Sequence, residues 1–324
     1  MSKSEFDLIE KYFAPLSTTG APAFSLTNDA AIYSSEPNKN LIFTKDMLVG
    51  GIHFFENDDP YLIAKKALRV NLSDLASMGA EPLGYLLGIA LPNKNFDPDK
   101  WLSPFVDGLK DDQERYQLKL WGGDTVSTTG PVTVSVTAIG QTENTVCLSR
   151  SGAKIGDNIY VSGTLGDAAA GLVVLREKMD QEKFEYLIKR YHLPEPRIKL
   201  GRALLEIATS MLDISDGLLG DISHICRHSN IGAEIESKKI PVSSALGNLL
   251  ATKADYSSLT WSGGDDYELL FTTSPSNDHV IKKLSGQLGI KLTKIGKITE
   301  GHKVTILDGE GVEIKFNKRG FSHF

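Results

Sequence analysis

Aspartates flanked by glycine and other small residues recur along this chain of 324 residues. Asp46 ends a predicted strand and is followed by Gly50-Gly51 and His53, and Asp124 ends another within Gly122-Gly123-Asp124-Thr125. Asp29 precedes Ala30-Ala31. Asp74 falls with Ile63, Ala67, Val70 and Met78 on the apolar stripe of a predicted helix, where an unpaired carboxylate is costly and calls for a cation or an ion pair. Asp213-Ile214-Ser215-Asp216-Gly217 repeats the style at a strand-to-helix turn, where a period of two puts Asp213 and Ser215 on one face. Singly, each also reads as a turn, cap or buried-pair residue. Together, carboxylates with small neighbours and no clustered Cys or His suit a hard cation, and magnesium fits best. It takes a few carboxylates and keeps positions for water and phosphate oxygens.

Phosphate handling also needs backbone N–H groups, and Ser162-Gly163-Thr164-Leu165-Gly166 ahead of a predicted helix is a candidate cradle. There is no Gly-x-x-x-x-Gly-Lys-Ser/Thr and no full protein-kinase signature set. Arg150 in Ser149-Arg150-Ser151-Gly152 reads either as a phosphate fork or as an exposed linker arginine.

The elements that must hold these residues are legible as two α/β halves. The first runs strand (41–46), helix (60–78), strand (84–91), helix (98 to about 116), strand through Trp121, and strand (132–138), whose valines alternate with Thr and Ser. The polar, glycine-containing segment 149–157 marks a boundary, giving domains 1–148 and 149–324. The second half reads as a strand (158–162), helices at 167–176, 181–190 and 197–207, a strand (211–214) and a helix (216–228). A strand (267–273), a helix (277–288) and strands near 292–298 and 303–307 complete it. The expected fold class is α/β (α+β), with a mixed N-terminal sheet carrying helices on one face and a C-terminal α/β domain.

With 41% hydrophobic and 23% charged residues the composition is that of a globular protein, and a net charge of −6 argues against a nucleic-acid partner. Two cysteines, Cys147 and Cys226, form neither a metal spacing nor a disulfide framework, which favours a reducing compartment. The N-terminal stretch lacks a signal-peptide core, and the apolar run 85–91 is too short to span a bilayer. The expectation is a cytoplasmic protein with no membrane partner.

Six segments, in order, resemble the signatures of thiamine-monophosphate kinases, a family of the aminoimidazole-ribonucleotide synthetase-like superfamily. They are Thr44–Phe54, Asn71–Ala80, Gly122–Thr125, Gly163–Leu172, Asp213–Leu218 and Gly263–Leu269, with a weaker echo at Gly320–Phe324. The resemblance implies a two-domain fold, a homodimer joined through the N-terminal domain, and the magnesium-dependent reaction of ATP with thiamine monophosphate to give ADP and thiamine diphosphate. It further implies that Asp29, Thr44, Asp46, Asp74, Asp124, Asp213 and Asp216 hold magnesium ions. Gly123, Asp124, Arg150 and Ser215 would contact ATP, and His53, Asp265 and Phe321 the thiamine phosphate. No protein nucleophile is expected, because the acceptor is already an anionic phosphate oxygen and the barrier is electrostatic.

The chain departs from the family pattern at Asn28, where an aspartate is usual, at Lys45, where a hydroxyl is usual, at Asp265 for glutamate and at Phe321 for tryptophan. Two alternatives stay open at this point. One is another ATP-using enzyme of the superfamily, such as an aminoimidazole-ribonucleotide synthetase. The selenophosphate and hydrogenase-maturation relatives need a cysteine in the N-terminal loop or at the C-terminus, and this chain has none there. The other is a catalytically silent nucleotide-binding homologue.

Overall fold

Residues 5–143 and 146–315 are described by a computed structural model. The chain divides into two units, Met1–Leu75 with Ala80–Val146 and Ala76–Gly79 with Cys147–Phe324.

In the first unit a short N-terminal helix α1 (Glu5–Leu8) precedes β1 (Asn40–Val49), α2 (Pro60–Ser77), β2 (Glu81–Pro92), α3 (Pro98–Tyr116), β3 (Lys119–Thr128) and β4 (Thr133–Thr142). The sheet order is β1-β4-β2-β3, with β1 and β2 antiparallel to β4. The β2–β3 pair is parallel, joined by α3 as a crossover. Asp97 caps α3 by accepting from Asp99 N and Lys100 N, with Pro98 at the first turn.

Helix α2 is buried almost all round. Lys65, Lys66, Arg69, Asn71 and Ser73 are sheltered as well as the apolar residues, and Asp74 is only half-buried. The expected single apolar stripe therefore does not distinguish Asp74. What neutralises the helix's buried charge is a bidentate pair, with Arg69 Nε and Nη2 at 2.7 and 2.9 Å from the two oxygens of Asp112 on α3.

Strands β1 and β3 extend past the aspartates expected to end them, so Asp46 and Asp124 lie inside strands. The Gly122-Gly123 pair reads as a turn from sequence but serves close strand contact. A Cβ on Gly123 would come within 2.0 Å of Leu87 O.

The second unit contains β5 (Asn158–Ser162), α4 (Asp167–Arg176), α5 (Glu185–His192), α6 (Ile198–Ala203), β6 (Ser210–Asp213) and α7 (Leu218–Ser229). There follow β7 (Gly232–Glu236), α8 (Ser244–Thr252), α9 (Leu259–Ser262), β8 (Leu269–Thr273), α10 (Asp278–Leu288), β9 (Leu292–Thr299) and β10 (Val304–Leu307). The sheet order is β10-β7-β9-β5-β8-β6. Helix α7 packs one core with Ile159, Val161, Leu212 and Leu270, while α6 and α10 pack the other with Tyr160, Met211 and Phe271. With both faces covered, β5, β6 and β8 are buried along their whole length. Strand β7 and helix α8 were not expected from the sequence. Helix α7 starts two residues later than predicted, and Ser215 lies in the turn beyond the end of β6.

Candidate functional site

The alternation of β1 sorts its residues by face. Thr44, Asp46 and Leu48 turn to the helix side, while exposed Phe43, Lys45 and Met47 turn to the open side. On the helix side, Thr44 Oγ1 donates to Asp74 Oδ2 of α2. Asn71 joins the same turn of α2 to the strand, taking Asp46 N at 3.0 Å and giving its own amide to Ala67 O. Burial pushes the Asp46 carboxyl up to about 7, and the charge and hydrogen bond of Asp74 push the same way. Two acids and a hydroxyl thus share a low-dielectric pocket of all-oxygen donors, a set that fits a hard divalent cation.

His53 follows at the turn after β1. Its Nδ1 accepts from Val49 N at 3.0 Å, so the neutral ring carries its proton on Nε2.

On the open face Lys45 Nζ donates to Ser135 Oγ of β4, and Lys45 therefore stands apart from Thr44 and Asp46. Here a cavity of about 810 Å³ is lined by the polar residues Asp29, Asp124 and Lys45 with Gly123, and by apolar residues including Phe13, Leu86 and Trp121. Tyr33 stacks on Trp121 with ring centroids 5.0 Å apart, forming an aromatic wall. Asp124 pairs in register with Gly88, which pairs with Ser135, so its side chain emerges on this open face. The chain thus brings Thr44, Asp46 and Asp74 together on one side of the sheet, and Asp29, Gly123 and Asp124 on the other.

In the second unit the loop Gly263–Glu268 is strapped to the turn after β6. Asp265 N donates to Ser215 O and Tyr267 N to Ile214 O, each at 2.8 Å, while Ile214 N returns a bond to Glu268 O. A Cβ on Gly264 would sit 2.4 Å from Ser215 O, so that approach requires glycine. Asp265 and Tyr267 adopt positive φ, 68° and 51°, and Tyr267 Oη lies 3.3 Å from Asp265 Oδ1. Asp265 is thereby placed beside Ser215 and Asp216, with buried Asp213 ending the adjoining strand.

Two residues missed in the sequence join this cluster. Asp221 of α7 accepts from Asp216 N and Gly217 N at 3.2 and 3.1 Å, and so caps the helix from within. Burial, then the charge of Asp216, pushes Asp221 up to about 7, while nearby Arg150 opposes the rise. Burial, then the Arg150 charge, lowers the pKa of His224. Asp216, Asp221 and His224 bring ligand atoms within 4.8 Å of one another. Their spacing of five and three residues places them along one helix start, the one signal available in the sequence.

The expected phosphate cradle at Ser162–Gly166 is occupied by the protein itself. Gly166 N and Ala168 N donate to Asp266, Gly163 N to Lys291 O and Leu165 N to Pro241 O. Phe321 lies outside the described residues.

Comparison with known proteins agrees with this architecture. The AIR synthase related protein family matches over residues 27–142 for its N-terminal domain and 154–309 for its C-terminal domain. The thiamine-monophosphate kinase of Escherichia coli is 38% identical over 330 residues, covering 100% of this chain and 99% of that protein. That of Bacillus subtilis is 33% identical, covering 99% of each. The crystal structure of the thiamine-monophosphate kinase from Stenotrophomonas maltophilia superimposes with a TM-score of 0.81 at 38% identity, over 89% of this chain and 91% of that one. AaThiL complexed with AMPPCP and TMP gives 0.79 at 28% identity, over 99% and 94%.

Proposed function

The chain belongs to the thiamine-monophosphate kinase family, and from that premise we propose that it transfers the γ-phosphoryl group of ATP to the phosphate of thiamine monophosphate. The observation that carries the proposal is the Thr44–Asp46–Asp74 cluster. It is a partly desolvated pair of acids that repel one another and that a divalent cation would relieve. Magnesium held by Asp29, Thr44, Asp46, Asp74, Asp124, Asp213 and Asp216 would supply charge neutralisation between two phosphates that otherwise repel by about 4 kcal/mol per unit-charge pair at 4 Å.

The chain's own groups do the rest. Asp124 and Gly123, in the lining of the large cavity, hold the nucleotide phosphates, and the aromatic Tyr33–Trp121 wall takes the base. Arg150 and Ser215 bind further phosphate oxygens. His53 donates from Nε2 to the acceptor phosphate, and Asp265, fixed to Ser215 by its backbone, meets the thiamine with Phe321. The phosphate acceptor needs no general base, so orientation and charge matching carry the rate.

Asp46 and Asp124 sit on opposite faces of the sheet and on its two edge strands, about 14 Å apart at ordinary strand spacing. Beyond the cavity lining, the open face carries exposed Met47 and Val126, an apolar surface suited to a second copy. We take the working form to be a homodimer through this face, in the cytoplasm, where the free thiols Cys147 and Cys226 stay reduced.

The deciding experiment is ADP formation that requires both thiamine monophosphate and magnesium and disappears in Asp46→Asn and Asp124→Asn. ATP binding with no such turnover would favour the silent nucleotide-binding alternative.

A further inference from the structure

The second unit contains another cavity, of about 400 Å³, which none of the residues assigned above lines. It opens at the end of the sheet where β5 stops and β8 and β9 begin. Its wall is Glu268, Arg190 and Arg197, with Lys189, Lys291 and Tyr186 around it.

Glu268 is 1% exposed and saturated. It accepts Arg197 Nε and Nη2 at 2.6 and 2.5 Å, Arg190 Nη2 at 3.1 Å and Ser162 Oγ at 2.6 Å. Arg190 spends only Nη2 on the protein, on Glu268 and on Asp266 O at 2.9 Å. Among the described residues no acceptor meets its Nε or Nη1, although the side chain is only 8% exposed. Arg197 likewise keeps Nη1 in hand. A guanidinium is always charged, and these spare donors are left for solvent or a ligand in the cavity.

The charge balance points the same way. Two arginines share one carboxylate, and Lys189 and Lys291 stand exposed at the cavity with no ion pair among the described residues. Glu195 is the remaining acid in the lining. Asp266 beside Arg190 is pushed by burial to about 8 and adds little negative charge at neutral pH. The cavity therefore has four cations against two acids, spare guanidinium donors in a fixed fork, and room for a small molecule.

We propose that this cavity binds a phosphate-type oxyanion, free or as a phosphate ester, through the spare donors of Arg190 and Arg197 with Lys189 and Lys291 completing the shell. The half-exposed ring of Tyr186 offers a stacking surface for an aromatic ester. The site is separate from the groups assigned to phosphoryl transfer, so it acts as a second anion site on the same chain and stands whether or not the kinase assignment does.

The test is calorimetric titration of the full chain with inorganic phosphate and with phenyl phosphate, without ATP or magnesium. Binding should survive Arg150→Ala and weaken at least tenfold in Lys189→Glu/Lys291→Glu, two surface changes that leave turnover within twofold of the parent. Tighter binding of phenyl phosphate, lost in Tyr186→Ala, identifies an ester as the ligand; equal binding indifferent to Tyr186 identifies free phosphate. No binding of either probe, or binding unchanged by Lys189→Glu/Lys291→Glu, or loss in Arg150→Ala instead, overturns the proposal.

Discussion

Replacing Asp74 by asparagine should stabilise the protein without metal and reduce its stabilisation by magnesium. Raising a buried carboxyl from an ordinary 3.8 to about 7, as at Asp46, costs about 4 kcal/mol in ionisation free energy at 1.36 kcal/mol per tenfold change. Burial is the largest single cause, so the charge and hydrogen bond of Asp74 together account for at most two thirds, up to about 3 kcal/mol. The substituted amide would still accept from Thr44 but carry no charge. At pH 8 without metal, the Asp74→Asn protein should therefore melt higher, by about 2–4 °C for each kcal/mol recovered. The pH dependence has a definite sign. The folded protein holds the Asp46 proton up to about 7, whereas the unfolded chain releases it near 4, so this site favours folding most below pH 4 and loses that contribution as pH rises through 7. The variant should show a shallower fall over that window. Thermal unfolding from pH 4 to 8, with and without magnesium, reads all of this. A lower metal-free melting temperature in the variant, or magnesium stabilisation equal to the parent's, would refute the account of Asp46 and Asp74 as a cation site.

Two further outcomes test other parts of the molecule. Tyr267→Phe deletes a long hydrogen bond to Asp265 and should raise the KM for thiamine monophosphate about two- to fivefold, equivalent to about 0.5–1 kcal/mol, with the KM for ATP unchanged in steady-state kinetics. Arg69→Met strands Asp112 in the core of the first unit and should cost about 3 kcal/mol in denaturant unfolding. That value is the low end for a broken buried pair, because Lys65 Nζ stands 3.5 Å from Asp112 and can partly replace the guanidinium.

How far the sequence reached depends on which residues carry a periodic signal. The alternating Val-Ser-Val-Thr of β4 identified a half-covered strand, and the helix expected from 98 to about 116 coincides with α3. The faces of Asp46 and Asp124 could not be assigned in this way. The register slips between Tyr85 and Leu86, leaving Trp121 as an extra residue on β3. Without that bulge Asp124 would pair with Ile89 and face the helices beside Asp46; with it, Asp124 opposes Gly88 and faces the open side. Gly122 and Gly123, which follow the bulge, have no side chains to report the change, so alternation is silent where it matters most. The same limit hid Asp221 and Asp266. Both are buried acids, and the backbone N–H groups that satisfy them come from four or five residues away for Asp221 and from 98 or 100 away for Asp266. Asp266 also explains why a Gly-rich helix start misleads as a phosphate cradle. Such a start attracts any carboxylate the fold can deliver, and here the fold delivers one from the same loop that carries Asp265. A glycine-rich turn therefore marks where an acceptor oxygen will sit, while the tertiary contacts decide whether substrate or protein supplies it.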